Sequence, residues 1–382
     1  MDSRRGSSGS ELRDLARLFL KLGVVAFGGP AAHIAMMRDE VVTRRQWMDD
    51  QELLDLVGAT NLIPGPNSTE LAIHLGRMRA GWRGLIVAGA CFIVPAALIV
   101  LAIAMLYGRY GSAPEATCLL YGIIPVIVAV IVQALYGLLK TAVKGPLTAA
   151  VGTVALSLYL LGVGEIPLLA AGATIVLLAK AGLKTWGGTL SIAPLGLPIA
   201  LLQASVGASG VTSVFLSFLK IGSVLFGSGY VLLAFLRTEF IASGRLTEQQ
   251  LLDAVAVGQF TPGPVFTTAT FIGYLLEGVP GAVLATVGIF LPAFVFVALT
   301  GPIIPRLRRS PVMSNLLDGL NVTSLALMAG VTWQLGRTAV VDTFSALLAV
   351  AAIILLIRFK VNAAWLVIGG GLLGLLFGGF AD

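Results

Sequence analysis

The sequence predicts an all-α polytopic membrane protein built from two homologous halves, an inverted-topology repeat with re-entrant or broken helices. Three observations carry this. Of 382 residues, 57% are hydrophobic and only 12% charged, against roughly 25% charged in a soluble domain. Apolar segments long enough to enter a bilayer follow one another along the chain. Segments broken by glycine and proline occur in matched pairs. A water-soluble enzyme would need far more charged surface than 25 basic and 19 acidic residues provide. The net charge of +6 is spread through short loops, which reads as membrane orientation and excludes a nucleic-acid partner.

Residues 1–14 are polar and basic without an apolar h-region, so no cleavable signal peptide is expected. Residues 15–37 form an apolar segment interrupted by Phe27-Gly28-Gly29-Pro30, and residues 53–75 one interrupted by Pro64-Gly65-Pro66. Proline removes a backbone donor and glycine lets the chain bend. Such breaks sit at membrane depth only where protein or a water-filled cavity satisfies the freed groups. Four apolar segments follow at 85–106, 116–138, 147–161 and 166–178, and four more at 282–299, 316–335, 344–357 and 363–377. Several are shorter than the 20 or so helical residues that span about 30 Å, so tilted or incomplete spans are expected. Cys91 and Cys118 lie in apolar segments with no metal-ligand spacing and read as packing residues.

The broken elements return about 199 residues later. Phe19-Leu20-Lys21-Leu22-Gly23 matches Phe218-Leu219-Lys220-Ile221-Gly222, Phe27-Gly28-Gly29 matches Phe226-Gly227-Ser228, and Glu40 matches Glu239. After the loss of one residue, Pro64-Gly65-Pro66 matches Pro262-Gly263-Pro264. The first repeat covers 1–184 and the second 213–382, with 185–212 a linker whose segment 192–206 is apolar enough to cross. The loops at 38–45 and 77–83 hold six arginines, whereas their counterparts hold only Arg237 and Arg245. Conversely, the loop near Arg109 is poor in arginine and its partner carries Arg306, Arg308 and Arg309. Excess positive charge marks the cytoplasmic side, so equivalent loops fall on opposite faces, as in inverted-repeat transporters. Residues 53–75 and 251–275 are then re-entrant hairpins. Residues 15–37 fit either a hairpin, with the N-terminus cytoplasmic, or one kinked span.

Several residues are candidates for binding or coupling. Lys21 and Lys220 lie in apolar surroundings six residues before each Phe-Gly break, where an ammonium either serves function or snorkels to the interface. Behind the first Pro-Gly-Pro tip come Asn67, Ser68 and Thr69, and behind the second Thr267 and Thr268. A helix restarting there offers orphan N–H groups and a positive dipole end, which suits an oxyanion. Asn61 and Gln259 precede the tips and add amide donors. Glu70 follows the first tip with no carboxylate around Phe271, and is a candidate proton-coupling group. Arg38, Glu40, Arg237 and Glu239 are candidate gating ion pairs. His33 and His74 are isolated, and neither a metal site, a cofactor motif nor an enzyme's nucleophile-base set is expected.

These motifs resemble the chromate ion transporter family in its long, two-domain form, over nearly the whole chain. The elements carrying the resemblance are Phe27-Gly28-Gly29-Pro30, Pro64-Gly65-Pro66, Phe226-Gly227-Ser228-Gly229-Tyr230 and Pro262-Gly263-Pro264. The resemblance implies inner-membrane export of the chromate oxyanion, with sulfate as a related substrate or exchange partner. It also implies about thirteen membrane segments, split six, one and six. Gly229 stands where the first half has Pro30, so the two breaks need not bend alike. A small-anion carrier of another specificity or an anion channel is the alternative. A homo-oligomer is not legible, because helix-packing glycines also serve contacts within one chain.

Overall fold

The computed structural model describes residues 8–27, 29–111, 113–181, 210–226, 231–300 and 311–377. All regular structure among them is helical. The first half holds α1 (Ser8–Val25), α2 (Gly29–Arg38), a π-helical turn (Asp39–Arg44) and α3 (Asp50–Thr60). It continues with α4 (Asn67–Tyr110), α5 (Pro114–Ala142), α6 (Pro146–Leu160) and α7 (Glu165–Ala181). The second half holds α8 (Gly210–Val224), α9 (Leu232–Leu236), a π-helical turn (Arg237–Ile241) and α10 (Glu248–Phe260). A 3-10 turn (Val265–Thr267) then leads into α11 (Thr268–Thr300), α12 (Pro311–Ala339), α13 (Thr343–Arg358) and α14 (Ala363–Phe377). The eight uninterrupted apolar segments predicted from sequence coincide with helices, α4 to α7 and α11 to α14, with only residue 161 falling just past the end of α6.

Four helices, α4, α5, α11 and α12, are long and apolar enough to cross a bilayer. Along α11, Val283, Val287, Leu291, Val295 and Leu299 stay exposed at every fourth position. An apolar stripe of that length on the outside of a protein suits lipid and not water. The chain is a multi-pass membrane protein.

Helix α4 is not one rod. Its 44 residues would extend roughly 66 Å, about twice the hydrocarbon thickness. The chain reverses at Ala80 (φ −140°, ψ 27°) and Gly81 (φ 59°, ψ −143°). Gly76 consequently lies against the Gly84 carbonyl and Ala88, a neighbourhood that residues 12 apart on a straight helix cannot share. Helix α11 turns in the same way at Glu277 (φ −142°, ψ 23°) and Gly278 (φ 62°, ψ −151°). Positive φ at Gly81 and Gly278 is the left-handed region that a side chain disfavours.

The first broken element also folds back. Lys21 Nζ on α1 lies 2.7 Å from Glu40 Oε1 beyond α2. Nineteen residues of continuous helix would put them about 28 Å apart, well beyond the reach of the two side chains. Of the two readings left open for residues 15–37, the geometry is that of the hairpin.

The described residues gather into two compact units. One is drawn from Met1–Ile103, Leu201–Gly229 and Thr261–Arg309, and the other from Ala104–Ala200, Tyr230–Phe260 and Ser310–Asp382. Each unit takes segments from both halves. In the first, Leu15, Leu18, Phe19 and Leu22 of α1 pack on Leu71, Leu75 and Phe92 of α4, and α8 lies along α11. In the second, α5 packs on α13 and α14, α12 packs on α6 and α7, and α5 meets α12. Gly122 on α5 lets the Gly370 and Gly374 backbone of α14 approach, and Gly319 on α12 does the same for Gly172 on α7. The Asp318 carboxylate of α12 holds Lys144 at 2.6 Å and Lys180 at 2.7 Å. Gly28, Gly227, Gly229, linker residues 185–209 and the basic residues Arg306, Arg308 and Arg309 lie outside the described residues.

Candidate functional site

The first unit contains both Pro-Gly-Pro tips, and each is tied to a Phe-Gly break of the other half. Gly65 N–H donates to the Leu225 carbonyl at 2.8 Å, and Gly263 N–H donates to the Ala26 carbonyl at 2.9 Å. Ala26 directly precedes Phe27 and Leu225 directly precedes Phe226, so the two bonds are the same bond made twice. Both glycines have positive φ, 139° and 87°. The flanking prolines supply no donors of their own.

Behind the first tip, α4 begins at Asn67. Its opening N–H groups have no intrahelical acceptors. Ser68, Thr69 and Glu70 are all buried there. The Ser68 hydroxyl meets His33 Nδ1 at 3.2 Å, and His33 Nε2 meets the Ala26 carbonyl at 3.1 Å. A carbonyl only accepts, so Nε2 carries the hydrogen and Nδ1 of the neutral ring accepts from Ser68. Asn67 Nδ2 donates to Asn61 Oδ1 at 2.6 Å. In the first two turns of α4 several buried atoms have no hydrogen-bond partner: Asn67 Oδ1, Thr69 Oγ1, both Glu70 oxygens and His74 Nε2. Buried polar groups are nearly always paired, so this concentration of unpartnered atoms sets the start of α4 apart.

Glu70 is 0% exposed. Its Oε1 lies against Gly65, where a Cβ would collide with it and would also touch Ala293 of α11. Glu70, His74 and Arg77 share one face of α4, spaced by four and three residues. Arg77 at the end of that face donates to the backbone carbonyls of Val297 and Ala298 on α11. Sequence reasoning left His33 and His74 as isolated imidazoles. The signals it passed over were the four-residue step from Glu70 to His74 and the pairing of His33 with a first-turn hydroxyl.

The second tip differs. Thr267 Oγ1 donates to the Pro264 carbonyl and Thr268 Oγ1 to the Val265 carbonyl, each at 2.8 Å. Both hydroxyls therefore satisfy the turn that carries them. Phe271 is not the partner position of Glu70. Counted from the tips, Glu70 faces Thr268; counted back from the matched kinks at Gly81 and Gly278, it faces Thr267, and Phe271 faces His74.

The other sequence candidates lie elsewhere. Lys21 is bonded to Glu40, which also takes Arg44 and Arg45. Arg38 pairs with Asp50, not with neighbouring Asp39 or Glu40, and in the second unit Arg237 pairs with Glu248. Phe27 is exposed, Pro30 and Phe226 are half-buried, and Gly29 is buried with φ 77°. Lys220 is half-buried on α8, within the first unit, and Gln259 and Glu239 belong to the second. No group of His, Cys, Asp and Glu able to hold a metal occurs among the described residues.

A family model described as chromate transporter matches this chain twice, over residues 13–183 and 212–375. The chain belongs to the chromate transporter family. It is 30% identical over 372 residues to the chromate transport protein of Cupriavidus metallidurans, covering 96% of this chain and 93% of that one. It is 32% identical over 336 residues to the chromate transport protein of Pseudomonas aeruginosa, covering 84% and 80%. No solved structure matches. Members of the chromate transporter family are transporters and not enzymes. The two matched stretches each contain one Pro-Gly-Pro tip and one kinked helix behind it.

Proposed function

We propose that this chain is a secondary active transporter that exports chromate across the cytoplasmic membrane, with sulfate as a related substrate or exchange partner. The observation that carries the reading is the start of α4, where orphan N–H groups and unpartnered polar side chains converge in a buried turn. Chromate and sulfate are tetrahedral dianions, and a helix N-terminus with nearby hydroxyls is suited to their oxygens. The names of the two relatives supply chromate as the substrate. Lys21, held by Glu40, ties the base of the first hairpin and contributes positive charge at longer range.

The two halves act as an inverted repeat. The matched kinks, the paired tip bonds and the uneven arginines of equivalent loops support that arrangement. Alternating access then exposes the tip to each side in turn. An interior-negative potential favours anion exit by about 2.3 kcal/mol per charge per 100 mV.

Flux of labelled chromate in vesicles, with pH and voltage clamped separately, tests the reading. The expected result is saturable chromate flux that sulfate inhibits from the same side and stimulates from the opposite side. Absence of chromate flux in both directions removes the substrate assignment. Flux far above carrier turnover, without counter-transport, makes the protein a channel.

A further inference from the structure

The reading above leaves Glu70 unexplained. A carboxylate beside an anion site repels the anion, yet Glu70 is the most deeply enclosed acid at this tip. Both of its oxygens lack partners, and one rests against Gly65. Among the described residues no lysine or arginine forms an ion pair with it. Ala293 of α11, beside Gly65, is apolar. From α2, His33 is occupied by Ser68 and the Ala26 carbonyl. On α4 itself, His74 stands one turn away, and Arg77 is committed to the Val297 and Ala298 carbonyls. An ionised carboxylate in such a place is strongly unfavourable, because burial removes its hydration and nothing replaces it.

We propose that Glu70 is a proton-binding site linked to the oxyanion site: as the neutral acid it donates a hydrogen bond to an oxyanion oxygen at the first tip, and as the carboxylate it excludes the anion. This rests on the oxyanion reading of the α4 start. Where the empty site holds the neutral acid the proton is already in place; at higher pH, where the empty site ionises, one proton binds with each arriving anion and leaves with it, so proton and oxyanion occupy the site together. Linkage makes the effect reciprocal: protonation strengthens anion binding and the anion strengthens proton binding by the same factor. The second tip has threonine at both candidate matching positions, so the proton site is single and belongs to the first half.

The test uses the full chain purified in detergent, with chromate and sulfate as probes. Sulfate is included because it stays a dianion where chromate itself protonates. The expected result is a sulfate affinity that is flat while the empty site holds the neutral acid and falls at higher pH by up to about tenfold per pH unit, and in that higher range adding sulfate to weakly buffered protein draws up to one proton per bound anion. Glu70→Gln keeps the shape and a donor but cannot ionise, so it should bind across the pH range with a flat profile and no proton uptake. Anion binding to the wild-type chain with neither proton uptake nor a fall in affinity at any pH overturns the proposal while leaving the oxyanion site intact. Failure of both probes to bind at any pH overturns the site itself. A profile flattened by His74→Gln and not by Glu70→Gln places the proton on the imidazole and also overturns the proposal. The uptake measurement needs no variant, so it decides even where Glu70→Gln fails to fold.

Discussion

At the first tip Gly65 donates to Leu225, and at the second Gly263 donates to Ala26. Behind each, a helix runs to a kink with nearly the same dihedral angles. What hangs on that shared backbone is not shared. The first helix opens with Asn67, Ser68, Thr69 and Glu70 and leaves several of their polar atoms without partners. The second opens through a 3-10 turn whose Thr267 and Thr268 close on the carbonyls just before them. Matched backbones therefore hold the two breaks in place, while one tip carries the polar chemistry and the other completes its own turn.

Exchanging the chemistry of the tips is the strongest way to break this comparison. Thr268→Glu puts an unpaired carboxylate into a buried turn and removes the hydroxyl that serves Val265. It should cost about 3 kcal/mol or more, seen as loss of monodisperse protein or a large fall in Tm. Glu70→Thr gives the first tip the second tip's residue and removes two unsatisfied oxygens, so the protein should fold with equal or higher Tm. Equal tolerance of both substitutions would mean that the tips do not differ as described.

A smaller and sharper contrast comes from deleting one hydroxyl on each side. Thr267→Val removes a satisfied buried hydrogen bond and should lower stability by about 0.5–1.5 kcal/mol. Thr69→Val removes a hydroxyl that has no partner, so stability should hold or rise. Its cost should appear in oxyanion affinity, at about threefold to tenfold. Thermal unfolding and chromate binding on the two proteins separate the effects.

The spans, the breaks and the matched tips were legible because hydropathy, proline and glycine act locally. The hairpin at Ala80–Gly81 was harder to see, since only one glycine marks it and the flanking residues are good helix formers. The fold-back of residues 15–37 shows in a contact between Lys21 and Glu40, 19 residues apart, which no local pattern encodes. In the site, Glu70 stood out by lacking a matching acid. His33 did not, because its importance depends on Ser68 approaching from another helix. Thr267 and Thr268 resembled ligand donors in sequence, yet a hydroxyl just after a proline turn can equally close on its own backbone.

The comparison also extends to the bases of the hairpins, where the expected effects are smallest. Arg38–Asp50 and Arg237–Glu248 are equivalent pairs, whereas Glu40 gathers Lys21, Arg44 and Arg45. The hydrogen bond from Lys21 is the main reason that the Glu40 carboxyl sits below its ordinary value of 4.5, with Arg45 adding to it against the opposing effect of burial. A carboxyl whose folded value is depressed binds its proton more readily in the unfolded chain. Its stabilisation is therefore fully present above the unfolded value and is lost as pH falls through the folded value. Glu40→Gln should lower Tm near neutral pH by the equivalent of about 1 kcal/mol or less, because the Lys21 end of the pair is half exposed and screened. The difference from wild type should shrink as the solution is acidified below the ordinary carboxylate range. A gap that persists at acid pH would mean that Glu40 supports the hairpin through packing and not through charge.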